Sequence, residues 1–264
     1  MKKNEKINVV AIIQARMLSS RLPGKVMKEI AGFPMIYHVL KRVSSAKMVD
    51  EVVVATTVDR SDEPIADFCK TIGFKCFRGH SYDVLDRYYQ AAHLYKADII
   101  VRITSDCPLI DPEIIDSMVT KFQDSDYDFI ANRLPPPWKR TYPIGLDVEL
   151  VSFSALQRAW REAETKFERE HVMPYLYDKT GRFKILVIDH NQDNGEKRLT
   201  VDTPKDLELI KKIFDHFSPR IDFSWLEALE LLKKFPELEK INSGVSAKMV
   251  SDVDKRFDNN EDQE

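Results

Sequence analysis

The chain has 264 residues, 43% hydrophobic and 31% charged, enough apolar material for one large α/β domain or two small ones and too much for intrinsic disorder. Its formal charge of −3 provides no global field for nucleic acid or an anionic membrane, and no apolar run approaches the roughly 18–20 residues of a membrane helix. Cys69, Cys76 and Cys107 are too few and too irregular for a disulfide framework or a CxxC metal site, so the expected setting is the reducing cytoplasm.

Strand-like and helix-like segments alternate from the start, the signature of a mostly parallel sheet wrapped by helices. Residues 9–13 read as a buried strand, a short β-branched run without alternation. The lysines before it give a superficial likeness to a secretory leader, but Gln14 and Arg16 cut the run short and no small-residue cleavage site follows. A long polar loop runs from Gln14 to Gly32. Pro34 then suits the first turn of a helix over Met35–Val43, whose Ile36, Val39, Leu40 and Val43 share a face.

Glu51–Thr57 is a second buried strand, 62–72 a helix stopped by Gly73, and 75–77 a third strand. Residues 83–96 form a helix with Leu85, Tyr88, Tyr89 and Ala92 inward; 97–103 is another buried strand and 112–122 a helix. After a strand at Phe129–Ala131 the pattern changes. Residues 132–143, with Pro135, Pro136, Pro137 and Pro143, cannot be regular structure. A strand at 147–151, a helix at 154–163, a short helix at 170–177 and strands at 183–188 and 199–201 follow. Helices at Pro204–Phe217 and Trp225–Lys234 close the pattern.

With no internal repeat or low-complexity linker, the expectation is a single domain over residues 1–250, with 132–182 as a substrate-covering insertion. Residues 251–264 set Asp252, Asp254, Asp258, Glu261, Asp262 and Glu264 against Lys255 and Arg256, and read as a solvated, disordered acidic tail.

The loop after the first strand is the most informative stretch. Ligands of open α/β sheets bind beyond the carboxyl ends of the strands. This loop leaves such an end with Arg16, Arg21 and Lys25 and no acid, a set suited to a polyphosphate. Gly24 would let backbone N–H groups approach phosphate oxygens. Neither GxxxxGK[ST] nor GxGxxG is present. Asp106 and Asp202 each follow a buried run, and Mg²⁺ favours one or two carboxylates completed by phosphates and waters. Either could instead cap a helix, but Asp111 is better placed before Pro112, and Thr203 could serve before Pro204. Thr56 and Thr57 end the second strand, where they could reach a base or ribose or be ordinary strand-end threonines. Cys107, beside Asp106 but without a paired histidine, reads as a buried small residue.

Residues 12–36, IIQARMLSSRLPGKVMKEIAGFPMI, resemble the N-terminal signature of the CMP-sugar-acid synthetases, the cytidylyltransferases of 3-deoxy-manno-octulosonate and acylneuraminate, whose pattern is close to IPARxxSxRLPGKxLxxIxGxPMI. Asp83-Val84-Leu85-Asp86-Arg87 is similar to their SGTDR segment, with Asp83, Val84 and Leu85 replacing Ser, Gly and Thr. Thr104-Ser105-Asp106-Cys107-Pro108 is similar to QGDxP, with Thr104-Ser105 replacing Gln-Gly. Val201-Asp202-Thr203-Pro204-Lys205-Asp206-Leu207 resembles VDTPEDL. The segments Tyr142-Pro143-Ile144-Gly145-Leu146-Asp147-Val148-Glu149 and Arg169-Glu170-His171-Val172 are shared with the SpsF-like branch of spore-coat polysaccharide biosynthesis.

The resemblance implies a Rossmann-like three-layer fold of the nucleotidyltransferase and nucleotide-diphospho-sugar transferase type, with a small inserted lid. It implies a Mg²⁺-dependent cytidylyltransferase that moves CMP from CTP to an anionic acceptor, in a homodimer. Arg16, Lys25 and Asp106 would be catalytic, and Asp106 with Asp202 would hold the metal. Gln14, Ala15, Arg16, Arg21, Lys25, Thr56, Asp86, Arg87 and Ser105 would bind the nucleotide. Tyr142, Asp147, Glu149, Arg169, Glu170 and His171 would face the acceptor. Two other readings stand beside this one. A nucleotide-sugar-dependent glycosyltransferase is disfavoured by the lack of a strand-end DxD pair, and a nucleotide-binding scaffold by the presence of all four of Arg16, Lys25, Asp106 and Asp202.

Overall fold

The computed structural model describes residues 6–246. Strand β1 (Val9–Gln14) is followed by a short 3-10 turn at Lys25–Met27 and a hairpin of β2 (Glu29–Ile30) and β3 (Phe33–Pro34). Then come α1 (Met35–Val43), β4 (Glu51–Thr57), a 3-10 turn at Arg60–Asp62, α2 (Glu63–Thr71), β5 (Lys75–Gly79), α3 (Val84–Leu94), β6 (Ile99–Thr104) and α4 (Pro112–Gln123). The second half comprises β7 (Phe129–Ala131), β8 (Glu149–Ser152), α5 (Phe153–Glu162), α6 (Lys166–His171), α7 (Pro174–Tyr177) and β9 (Ile185–Val187). It ends with α8 (Pro204–Phe217), α9 (Trp225–Lys234) and α10 (Pro236–Glu239).

The main sheet has the order β5-β4-β1-β6-β8-β7-β9. All its neighbouring pairs are parallel except those of β8, which runs antiparallel to both β6 and β7. Strand residues alternate between two cores. Val9, Ala11 and Ile13 pack with α1, α2, α4, α8 and α9 on one face, while Val10 and Ile12 pack with α3, α5 and α7 on the other. Both faces of β1 are thus covered, which is why it reads as an uninterrupted apolar run. The mostly parallel three-layer expectation is met. From β1 the chain builds outward through β4 and β5, then crosses back to lay β6 on the other side of β1. The switch point lies between β1 and β6, where a ligand crevice opens in such sheets.

Three local expectations are corrected. The segment 14–32 is not all loop: its last residues form the hairpin, turned by Ala31 and Gly32 at φ 46 and 81, as a two-residue turn requires. The helix at 170–177 is two helices. A Thr165–Glu168 capping box starts α6 earlier, Val172 at φ 72 ends it, and Pro174 begins α7. Residues 199–201 are not a strand of the sheet. They form a buried segment whose backbone bonds to loops: Leu199 N–H donates to the Ile144 carbonyl at 2.7 Å and Val201 N–H to that of Asp106 at 2.9 Å.

Within 132–182, β8 lies inside the sheet and α5 packs beneath it. The tail at 251–264 lies outside the described residues.

Candidate active site

A cavity of about 240 Å³ opens at the switch point. Its floor comes from the ends of the two central strands: Gln14 and Ala15 after β1, and Thr104, Ser105 and Asp106 after β6. These ends are tied together, since Ser105 N–H donates to the Gln14 carbonyl at 3.1 Å. The loop after β1 closes on itself through a 2.8 Å bond from Gly24 N–H to the Met17 carbonyl. Gly24 has φ 67, a left-handed conformation that glycine adopts without penalty, and it turns the chain so that Lys25 points under the cavity. Asp62 anchors the other end of this loop by accepting from Met17 N–H at 2.7 Å.

Lys25 Nζ lies 2.8 Å from Asp106 Oδ2, 2.9 Å from Asp202 Oδ1 and 2.8 Å from the Val201 carbonyl. Three stretches far apart in sequence therefore meet at one ammonium. Burial opposes the charge on Asp106, yet the Lys25 ammonium outweighs it and holds the carboxyl down at about 2. Burial likewise opposes the charge on Lys25, and the two carboxylates overcome it, raising the amine above its ordinary range. Asp202 is fixed further by Arg21 at 2.9 Å and Arg198 at 2.7 Å on Oδ2. Asp202 is not the cap of α8; Thr203 is, in a capping box with Asp206, which leaves the Asp202 carboxylate to the cavity. The Asp106 carbonyl accepts from both Val201 N–H and Thr200 Oγ1, so the segments bearing the two carboxylates are locked to each other.

The sequence profile of the cytidylyltransferase family matches residues 10–241. The chain belongs to the cytidylyltransferase family. A cytidylyltransferase structure from Leptospira borgpetersenii is 34% identical and superposes with a TM-score of 0.84 over 92% of this chain and all of that one. The spore coat polysaccharide biosynthesis protein SpsF of Bacillus subtilis is 32% identical over 87% of this chain and 96% of its own length. A 3-deoxy-manno-octulosonate cytidylyltransferase of Geobacter sulfurreducens is 39% identical over 45% of this chain and 47% of its own. This chain is accordingly a CTP-dependent nucleotidyltransferase.

Around the Lys25 centre of this cytidylyltransferase, Arg16, Arg21, Arg87 and Ser105 line the cavity with Gln14 and Ala15, as do Glu170 and His171 from α6. Thr56 does not. It is fully buried and donates to Asp62 Oδ2 at 3.1 Å, the same carboxylate oxygen that Thr57 Oγ1 reaches at 2.6 Å. Asp86 accepts from the Trp160 indole at 2.8 Å, away from the cavity lining. Tyr142 packs against the rings of His190 and Trp225, Asp147 is held by both guanidinium nitrogens of Arg140, and Arg169 pairs with Asp83. None of those three lines the cavity. Cys107 is buried and its thiol is pushed well up by burial, so it stays protonated.

Sequence reasoning missed Arg102. It lies on β6 between Ile12 of β1 and Glu149 of β8, ion-paired to Glu149 and bonded to Gln14 Oε1 at 3.0 Å. Arg102 is one of the residues lining the cavity. The available signal was a lone charge inside the apolar run Ile99-Ile100-Val101-Arg102-Ile103. Glu149 is thereby connected to the site through Arg102.

Asp106 and Asp202 converge on a single cation and offer only oxygen donors. That set suits a hard divalent ion. Among the described residues no group of three or more His, Cys, Asp or Glu gathers, so the remaining ligands of such an ion would be phosphate oxygens and waters.

Proposed function

We propose that this enzyme transfers CMP from CTP to an anionic acceptor, a sugar acid or a phosphate or phosphonate metabolite, with release of pyrophosphate, and that it serves cell-surface polysaccharide synthesis. The observation that supports this best is the convergence of Lys25, Asp106 and Asp202 beneath the cationic loop at the switch point. The acceptor oxygen attacks the α-phosphorus in line, the new P–O bond forms, and the bond to the β,γ-pyrophosphate breaks. Arg16, Arg21 and Lys25 neutralise the charge that builds on that leaving group. Arg102 and Arg87 give the same cavity a cationic wall, which suits an acceptor bearing a negative charge.

Mg²⁺ held by Asp106 and Asp202 would supply Lewis-acid stabilisation of the phosphoryl oxygens. No covalent enzyme intermediate is required, so catalysis consists of positioning and charge neutralisation.

A pyrophosphate-release assay with the four nucleoside triphosphates and a panel of sugar acids and phosphonates tests this reading. The expected result is release with CTP and at least one anionic acceptor. Tighter binding of ATP or GTP by calorimetry, or turnover of a nucleotide sugar in place of CTP, overturns it.

A further inference from the structure

An ammonium has three N–H donors, and Lys25 uses all of them, on Asp106 Oδ2, Asp202 Oδ1 and the Val201 carbonyl. None is left for a phosphate oxygen, although Lys25 belongs to the loop whose arginines face the cavity. The ammonium also stands between the two carboxylates, the point that a cation shared by them must occupy. A divalent ion and Lys25 cannot both hold that point, because they need the same oxygens and repel each other at contact distance.

The neighbouring guanidiniums cannot take over the role. Arg198 is pinned to the buried Asp206 through Nε at 2.9 Å, and Arg21 is held by the Ser246 carbonyl at 2.9 Å. Both approach Asp202 on its other oxygen, Oδ2. Lys25 is therefore the cation that Asp106 and Asp202 share.

We propose that Lys25 is a resident surrogate for the metal ion. It keeps the carboxylates paired in the nucleotide-free enzyme and surrenders them when a triphosphate draws its ammonium away, so that metal and nucleotide bind as a coupled pair. This rests on the reading of Asp106 and Asp202 as the carboxylates that hold the metal. The backbone need not move, since the lysine stem is flexible and its compact charge finds equivalent acceptors on the triphosphate. Without nucleotide, an incoming ion must evict an ammonium that has three good partners and offer it nothing in return. With nucleotide, the evicted ammonium is re-satisfied at once. Linkage makes the effect reciprocal: the metal strengthens nucleotide binding by the same factor as the nucleotide strengthens metal binding.

Mn²⁺ binding, followed by electron paramagnetic resonance and calorimetry on the full chain, tests this without turnover. In the absence of nucleotide, Lys25→Met should bind one Mn²⁺ at least about ten-fold tighter than the wild type, and CTP should tighten Mn²⁺ binding less in the variant. Lys28→Met should match the wild type, and Arg21→Met, which removes a charge from the outer oxygen of Asp202, should gain less than about three-fold. Adding Asp106→Asn to Lys25→Met should erase the gain. Circular dichroism checks the fold of each variant, and Lys25→Gln replaces Lys25→Met if the latter does not fold. The proposal is overturned if Lys25→Met binds Mn²⁺ no tighter than the wild type, if the gain survives Asp106→Asn, or if Arg21→Met gains as much. An enzyme that released no pyrophosphate with any acceptor would defeat the proposed reaction and leave this comparison of metal affinities intact.

Discussion

Asp62 accepts from Met17 N–H, Thr56 Oγ1, Thr57 N–H and Thr57 Oγ1 at 2.6–3.2 Å while only 1% exposed. Sequence offered Thr56 and Thr57 to the nucleotide and Asp62 to a helix start, because hydroxyls at a strand end look the same whether they face a ligand or a carboxylate around the corner. Asp62→Ala orphans several buried donors at once, and such losses cost about 1–3 kcal/mol each before relaxation. We expect a drop of roughly 2–4 kcal/mol in urea denaturation, with kcat/KM falling as well because Met17 anchors the cationic loop. Unchanged stability would show that the threonines find other partners.

In that loop the charges should differ in worth. Lys25→Ala and Arg16→Ala should each slow the reaction by about 10²–10³, the scale of losing one preorganised transition-state contact, with kcat falling as well as kcat/KM. Lys28→Ala should cost less than about 0.5 kcal/mol. Equal and modest losses from all three would reduce the loop to a diffuse positive patch. Asp106→Asn should leave the protein folded and abolish turnover, because the residue stands past the apolar run of β6 at the cavity. A near-normal rate would mean that another carboxylate does its work.

At the scale of elements, legibility followed the strength of local signals. Met35–Val43, Glu51–Thr57, Pro204–Phe217 and Trp225–Lys234 have the bounds that periodicity, proline and caps indicate. Each has an apolar face or run of full length, and α8 and α9 begin with capping boxes. The segment 199–201 misled because its three residues are apolar or buried for a reason that strand periodicity does not encode: they are threaded between two loops. That threading has its own sequence mark at Gly145. With φ 105 it holds a conformation unsuited to side chains, and a Cβ there would lie 2.5 Å from Thr200 N and 2.7 Å from Leu199 C. Gly145→Ala must therefore push away the strip that sets Asp202 opposite Asp106. The expected result is a destabilisation of roughly 2–4 kcal/mol in chemical denaturation and a larger proportional loss of kcat than of folded protein. Normal activity in a destabilised variant would separate this strip from the site.

For the molecule as a whole, a mostly parallel sheet wrapped by helices was legible from alternation. The family resemblance gave the three layers and assigned Lys25 to the triphosphate and Asp106 and Asp202 to the metal, not the three to one another. What could not be read was which polar side chains of the acceptor set would turn inward. Glu170 and His171 do, whereas Tyr142, Asp147 and Arg169 are absorbed by His190, Arg140 and Asp83, partners whose proximity only the fold creates. The same fold couples stability to pH through a histidine that sequence did not single out. His38 is 1% exposed on α1, its Nε2–H donates to the Ile30 carbonyl at 2.7 Å, and its buried Nδ1 has no partner.

Burial pushes the His38 imidazole below its ordinary 6.5, against the pull of the Ile30 carbonyl and with the help of nearby Arg42. The folded ring thus stays neutral at a pH where the unfolded chain already takes up a proton. Its contribution is fully present above pH 6.5 and is lost as pH falls toward and through the lower folded value. Asp106, held at about 2 against an ordinary 3.8, adds a second loss that begins only in stronger acid. Urea denaturation between pH 7.5 and 5 should therefore show stability falling below pH 6.5 by up to roughly 1 kcal/mol per pH unit from this residue. In His38→Gln, whose amide can still donate to Ile30, that slope should flatten. An undiminished slope in the variant would assign the acid sensitivity to another group, and stability rising on acidification would contradict a neutral, buried His38.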